Sequence, residues 1–197
     1  MRTLGIAICL VSIGWISPFS VQAEFQVGAA VVDITPDQLP VLVNGGMLSR
    51  SADAVKTRVN ARAIVLDDGV ERVGIVVVDS CMVPKVLLDD AKYRAAVKTK
   101  IKADRILISA THTHTAPSSF GALGTNADPT YVPFLRQRLV DALVEAEKKL
   151  QPARVGWGVA KADQFTALRR WVRRPDRLGE DPFGNPTVRA NMHAAAN

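Results

Sequence analysis

The sequence predicts an α/β domain built on a mixed β-sheet, with flanking helices and at least one parallel strand–helix–strand unit. Three observations carry that prediction. Two short β-branched apolar runs, 73–78 and 105–111, enclose a segment in which Leu87, Ala91 and Ala95 recur at four-residue spacing, a helical stripe. Asp67-Asp68-Gly69 is a strong hairpin signal between 61–66 and 73–78. A longer stripe of Leu135, Leu139, Leu143 (or Ala142), Ala146 and Leu150 marks a second helix.

Residues 1–23 stand apart from the fold. Arg2 supplies a basic start, 4–16 is apolar, and Val21-Gln22-Ala23 offers a small-residue cleavage site, so this stretch reads as a signal peptide. Pro18 and Ser20 follow the apolar run, which is too short and broken for a membrane span. A secreted or periplasmic protein is expected. Without Arg2 the formal charge of +6 becomes +5, and without Cys9 only Cys81 remains. One cysteine builds no internal disulfide framework, and its apolar surroundings read as a buried small hydrophobe rather than a catalytic thiol.

Taken in order, 26–34 is a first strand, halted by Asp33-Ile34-Thr35-Pro36. An irregular loop held by Pro36 and Pro40 runs through Asn44-Gly45-Gly46, where the glycines suit either a loop at a site or a plain turn. The second strand is 61–66. The third, 73–78, is continuously apolar, as in a strand buried on both faces. Pro84 begins the first helix, which reaches about residue 99. A strand at 105–111 follows, parallel to 73–78 because a helix separates the two. Both strands then end at one sheet edge, placing Asp79 and His112 together where open α/β sheets hold their sites. Residues 117–126 are a Ser- and Gly-rich lip. The second helix starts near Thr130 with Pro133 in its first turn, Pro152 ends it, and 155–159 returns as a strand.

Just past the 105–111 strand comes Thr111-His112-Thr113-His114-Thr115, which holds two of the three histidines. Neutral imidazole is a common metal ligand and proton shuttle, and extended residues i and i+2 face one way. The same pattern also fits a polar turn whose histidines bond to backbone. The strand-edge position favours chemistry. Further on, Arg169, Arg170, Arg173, Arg174 and Arg177 surround Trp171. In an exported chain of modest charge these arginines point away from nucleic acid, and toward a carboxylate or phosphate clamp or pairing with other protein segments.

Five stretches in this order carry a family resemblance: VGAAVVDITP (27–36), TRVNARAIVLDDG (57–69), GIVVVDSCMVP (74–84), ILISATHTHTAPS (106–118) and ARVGWG (153–158). Together they resemble the N-terminal part of the neutral/alkaline non-lysosomal ceramidase family, nearest its bacterial secreted branch. The resemblance implies a zinc-dependent amidase that cleaves ceramide to sphingosine and a fatty acid. It implies His112 as a zinc ligand and His114 beside the metal, touching substrate or reacting groups. A site arginine is implied too, best matched by Arg169, although Leu168 stands where the family carries Asn. The family's further ligands (a His, a Glu and a Tyr) and its catalytic serine come from later sequence. Residues 24–197 are accordingly expected to be the N-terminal portion of a ceramidase-like catalytic domain, an incomplete domain with an incomplete zinc site. The expected substrate is ceramide or another N-acylated lipid or amide, which brings contact with a membrane surface. Two alternatives stand beside this: an exported non-catalytic domain binding an anionic ligand, and an amidohydrolase-type metal hydrolase.

Overall fold

The structure, a computed structural model, describes residues 24–165, 171–187 and 189–190. The expected signal peptide and Arg169 lie outside the described residues. The chain divides into two units, one ending at Arg154 and the other beginning at Val155.

The first unit is organised by a five-stranded sheet of order β6-β5-β4-β1-β7. Its strands are β1 (Gln26–Asp33), β4 (Asn60–Asp67), β5 (Arg72–Val78), β6 (Ile106–Ala110) and the two-residue β7 (Gln151–Pro152). β1, β4 and β5 pair antiparallel, and the β4–β5 turn is the expected hairpin. β5 and β6 pair parallel across the helix α1 (Lys85–Lys98), as the strand–helix–strand reading requires. The antiparallel pairs rule out the all-parallel barrel of the amidohydrolase alternative.

Helix α2 (Tyr131–Lys148) lies with α1 on a single face of this sheet. Its stripe of Leu135, Leu139, Leu143 and Ala146 is fully buried against Val65, Val76 and Val78. Contact is so close at Gly28 that a Cβ there would stand 2.0 Å from the Ala146 carbonyl oxygen. Asp128 starts the helix: its Oδ1 accepts from the N–H groups of Thr130 and Tyr131, at 3.0 Å each. Arg72 fixes the other end, bonding Asp67 at 2.5 Å and Glu147 at 2.7 Å.

Three expectations change. β5 is buried on one face only, since Val76 and Val78 are inaccessible while Val77 is 37% exposed, on the sheet face that also carries the exposed Val31 and Leu107. A continuous apolar run states tolerance for burial, but the helices decide which face receives it, and both lie on one side. The loop after Pro36 contains a second small ladder, β2 (Val41–Val43) against β3 (Arg50–Ala52). Residues 155–159 form no strand, and Trp157 and Val159 are almost wholly exposed. Alternation of Val155, Trp157 and Val159 supplies propensity, and a strand also needs a partner ladder.

The second unit consists of short ladders, Trp171–Val172 with Arg189–Ala190 and Gly179–Glu180 with Pro186–Thr187, joined by 3₁₀ turns. Within it Asp176 pairs with Arg174 at 2.8 Å and Arg177 at 3.8 Å. Among the described residues no helix is long and apolar enough to cross a membrane.

Candidate metal centre

The site begins where β6 leaves the sheet. Parallel pairing continues one step beyond the strand, with Thr111 N–H donating to Val78 O and His112 N–H to Ser80 O at 2.9 Å. His112 then adopts a left-handed backbone (φ 65°), uncommon for a residue with a side chain. This turn is held by the ring itself, whose Nδ1 lies 2.7 Å from the Cys81 carbonyl oxygen. A carbonyl only accepts, so Nδ1 is the protonated nitrogen of the neutral ring and Nε2 presents its lone pair outward. Such a backbone bond at the far nitrogen orients metal-binding histidines in general.

His114 meets that lone pair. The two Nε2 atoms stand 3.4 Å apart, with the rings nearly perpendicular at 85°. Two nitrogens bound tetrahedrally to one zinc at about 2.0–2.1 Å would be roughly 3.3–3.4 Å apart. The observed spacing therefore fits a shared ion. Both rings are exposed, leaving the converging nitrogens accessible to solvent and substrate.

Cys81 completes the only cluster among the described residues whose donor atoms lie together, all within 4.8 Å. Its buried thiol is 3.7 Å from His112 Nδ1, the nitrogen already occupied by the Cys81 carbonyl. Burial pushes this thiol's pKa up, away from the thiolate a metal requires. Cys81 is thus the support of His112, consistent with its reading as a buried hydrophobe.

His114 is positioned from β2. Residues 117–118 pair with this strand, through a Val43–Pro117 bridge and a 2.7 Å bond from Ser118 N–H to Leu42 O. At the end of β2 the buried Asn44 accepts from Gly45 N–H at 2.6 Å and donates to Phe120 O at 2.5 Å. Gly45 (φ 102°) lies directly against the histidine, where a Cβ would stand 2.5 Å from His114 Cγ. Only glycine meets both conditions. The Arg50 guanidinium, on β3, donates to the His114 carbonyl oxygen.

Sequence reasoning thus located the two histidines, and the structure brings them together. It missed the supports. Gly45 was visible only as half of an ambiguous glycine pair, and Arg50 carried no signal. Asp79 does sit at the expected strand edge, but its carboxylate turns to β4, accepting from Asn60 N–H and Arg62 Nη1 at 2.9 Å. It acts as a latch between strand ends. Beside Thr113 and Thr115 opens a cleft of about 420 Å³, walled by Leu39, Val41, Val43, Val55 and Val59.

The family model for neutral/alkaline non-lysosomal ceramidase, N-terminal, matches residues 25–167. Neutral ceramidase A of Dictyostelium discoideum is 28% identical over an alignment of 172 residues, covering 76% of this chain and 24% of that protein. The neutral ceramidase structure from Pseudomonas aeruginosa matches with TM-score 0.58 and 20% identity, covering 66% of this chain and 22% of that one. A ceramidase complexed with C2 matches equally in coverage, with TM-score 0.57. At this identity the structural likeness concerns the fold. The chain spans about a quarter of the length of these relatives. The match over residues 25–167, most of the chain, together with the shared fold, places this chain in the neutral/alkaline non-lysosomal ceramidase family, at its N-terminal part.

Proposed function

We propose that this chain supplies one wall of a zinc-dependent amide hydrolase centre acting on the N-acyl bond of ceramide or another N-acylated lipid. The observation that carries the reading is the convergence of His112 Nε2 and His114 Nε2 at 3.4 Å, with the Cys81 carbonyl fixing the His112 tautomer. Zinc there supplies polarisation of an amide carbonyl and a nucleophile at neutral pH. His112 holds the ion. His114, at the same point, is either a second ligand or the group that holds a proton beside it, and such a proton-handling role is worth about 10² to 10⁴ in rate. Catalytic zinc generally has three protein ligands, so the remaining ligation comes from outside the described residues. The site arginine of this reading is Arg169. The apolar cleft beside Thr113 and Thr115 accepts a hydrocarbon chain of the substrate. The leader at 1–23 directs the protein to a secreted or periplasmic location.

The test is zinc content of the purified protein beside its His112→Ala variant, with hydrolysis of a fluorescent ceramide followed in parallel. Zinc retained by the parent and lost at least tenfold in the variant is the expected result. Zinc held equally by the parent and by His112→Ala overturns the reading.

A further inference from the structure

Arg50, exposed on β3, pairs with no carboxylate among the described residues. One N–H of its guanidinium donates to the His114 carbonyl oxygen, and the rest of the fork has no partner among those residues. Strand register fixes the side on which it stands. In the β2–β3 ladder Arg50 lies opposite Val43, and Ala52 opposite Val41. Directly opposed residues, and residues two apart on one strand, project to the same side. Val41, Val43 and Ala52 line the apolar cleft of about 420 Å³, as do Thr113 and Thr115 on either side of His114. Arg50 therefore stands on the cleft side of the ladder, with its guanidinium held beside the imidazole pair. The cleft has two cations of its own, Arg58 and Lys56, and Arg58 is already paired with Asp33. Asp79 also reaches the cleft, but Asn60 and Arg62 occupy its carboxylate. An apolar trough ending at an unpaired guanidinium suits an amphiphile with a planar, two-oxygen anionic head. A long-chain carboxylate is such a molecule, and a guanidinium binds it through two parallel N–H bonds.

We propose that Arg50 is the anion-binding residue of this site, holding the carboxylate of a long-chain acid whose hydrocarbon tail lies in the cleft. The purpose of this contact rests on the hydrolase reading. When water cleaves an N-acyl amide, its oxygen stays on the acyl carbon and both its protons finish on the leaving amine. The acyl part is then a carboxylate in the cleft, and Arg50 retains it, so that the released acid competes with fresh substrate. The binding itself needs neither zinc nor turnover. The experiment is calorimetric titration of the purified full chain with decanoate and with decan-1-ol, a chelator being present so that no metal takes the carboxylate. Decanoate should bind the parent, and bind an Arg50→Met variant that melts like the parent about tenfold more weakly. Arg50→Lys, which keeps the charge, should recover part of that loss. Decan-1-ol has the same chain without the charge and should bind the parent and Arg50→Met alike. Lys56→Met should bind decanoate as the parent does. The inference is overturned if the parent binds no decanoate, or if Arg50→Met binds it undiminished. Equal loss of decan-1-ol in Arg50→Met would reduce Arg50 to a structural support and overturn it too. A loss of decanoate in Lys56→Met, with none in Arg50→Met, does the same. Failure of the zinc test leaves each of these outcomes readable.

Discussion

The residue with the most unusual backbone in the site is His112, whose left-handed conformation costs about 1–2 kcal/mol relative to ordinary helical or extended geometry. Two bonds offset that cost, from its N–H to Ser80 and from its ring to the Cys81 carbonyl, and together they aim Nε2. Its partner depends on a residue without a side chain. Gly45→Ala should push the imidazole of His114 aside, because the added methyl would overlap Cγ in a backbone that already disfavours alanine. Zinc affinity, measured by competition with a chromogenic chelator, is expected to fall about tenfold while circular dichroism stays native, in line with losses of outer supports in metal sites. Unchanged affinity would show that Gly45 does not position His114. Sequence identified the histidines because residue type and a two-residue spacing are local. The glycine's role could not be read, since it arises from contact with a residue far along the chain.

At the scale of elements, β1, β4, β5, α1, β6 and α2 were legible because each satisfies its own period: alternation or a continuous apolar run for strands, four-residue spacing for helices. The β2–β3 hairpin was not. Its strands have three residues each and the first follows directly on Pro40, too little for a periodic signal, and tertiary pairing of β2 with 117–118 supports them. The error at 155–159 is the reverse case, local pattern without a neighbour. Helix α2 seats on β1 through a gap that only hydrogen fills. Gly28→Ala should therefore cost about 1–3 kcal/mol, since the methyl meets the Ala146 carbonyl rather than a movable side chain. A melting temperature lowered by several degrees is the expected reading, and an unchanged one would refute the packing argument.

For the whole molecule, Asp128 links segments that are remote in sequence. One carboxylate oxygen caps α2, and the other accepts from Leu42 N–H in β2 at 3.1 Å. Burial alone would raise its pKa, but the bonds from Leu42, Thr130 and Tyr131 outweigh it and hold the group below the usual carboxylate value. A lowered folded-state pKa gives stability that is present above the unfolded value of about 3.9 and lost as pH falls through the folded value. Asp128→Asn keeps an acceptor for the cap but offers Leu42 an amide donor. It should melt below the parent at pH 7, with the gap narrowing as pH falls below about 4. A gap constant across that range would remove Asp128 from the acid response. The second unit, largely exposed, contributes no comparable buried link among its described residues.

The sequence by itself determined the class of fold, the parallel β5–α1–β6 crossover and the placement of His112 and His114 beyond its final strand. These follow from periodicity and chain connectivity, which act over short distances. Tertiary structure alone decided that both helices cover one sheet face, that Asp79 turns to Arg62 instead of the histidines, and that Gly45, Arg50 and the Cys81 carbonyl hold the pair. Those outcomes depend on which distant segments come into contact, and packing free energy summed over the whole core, rather than any local preference, selects them.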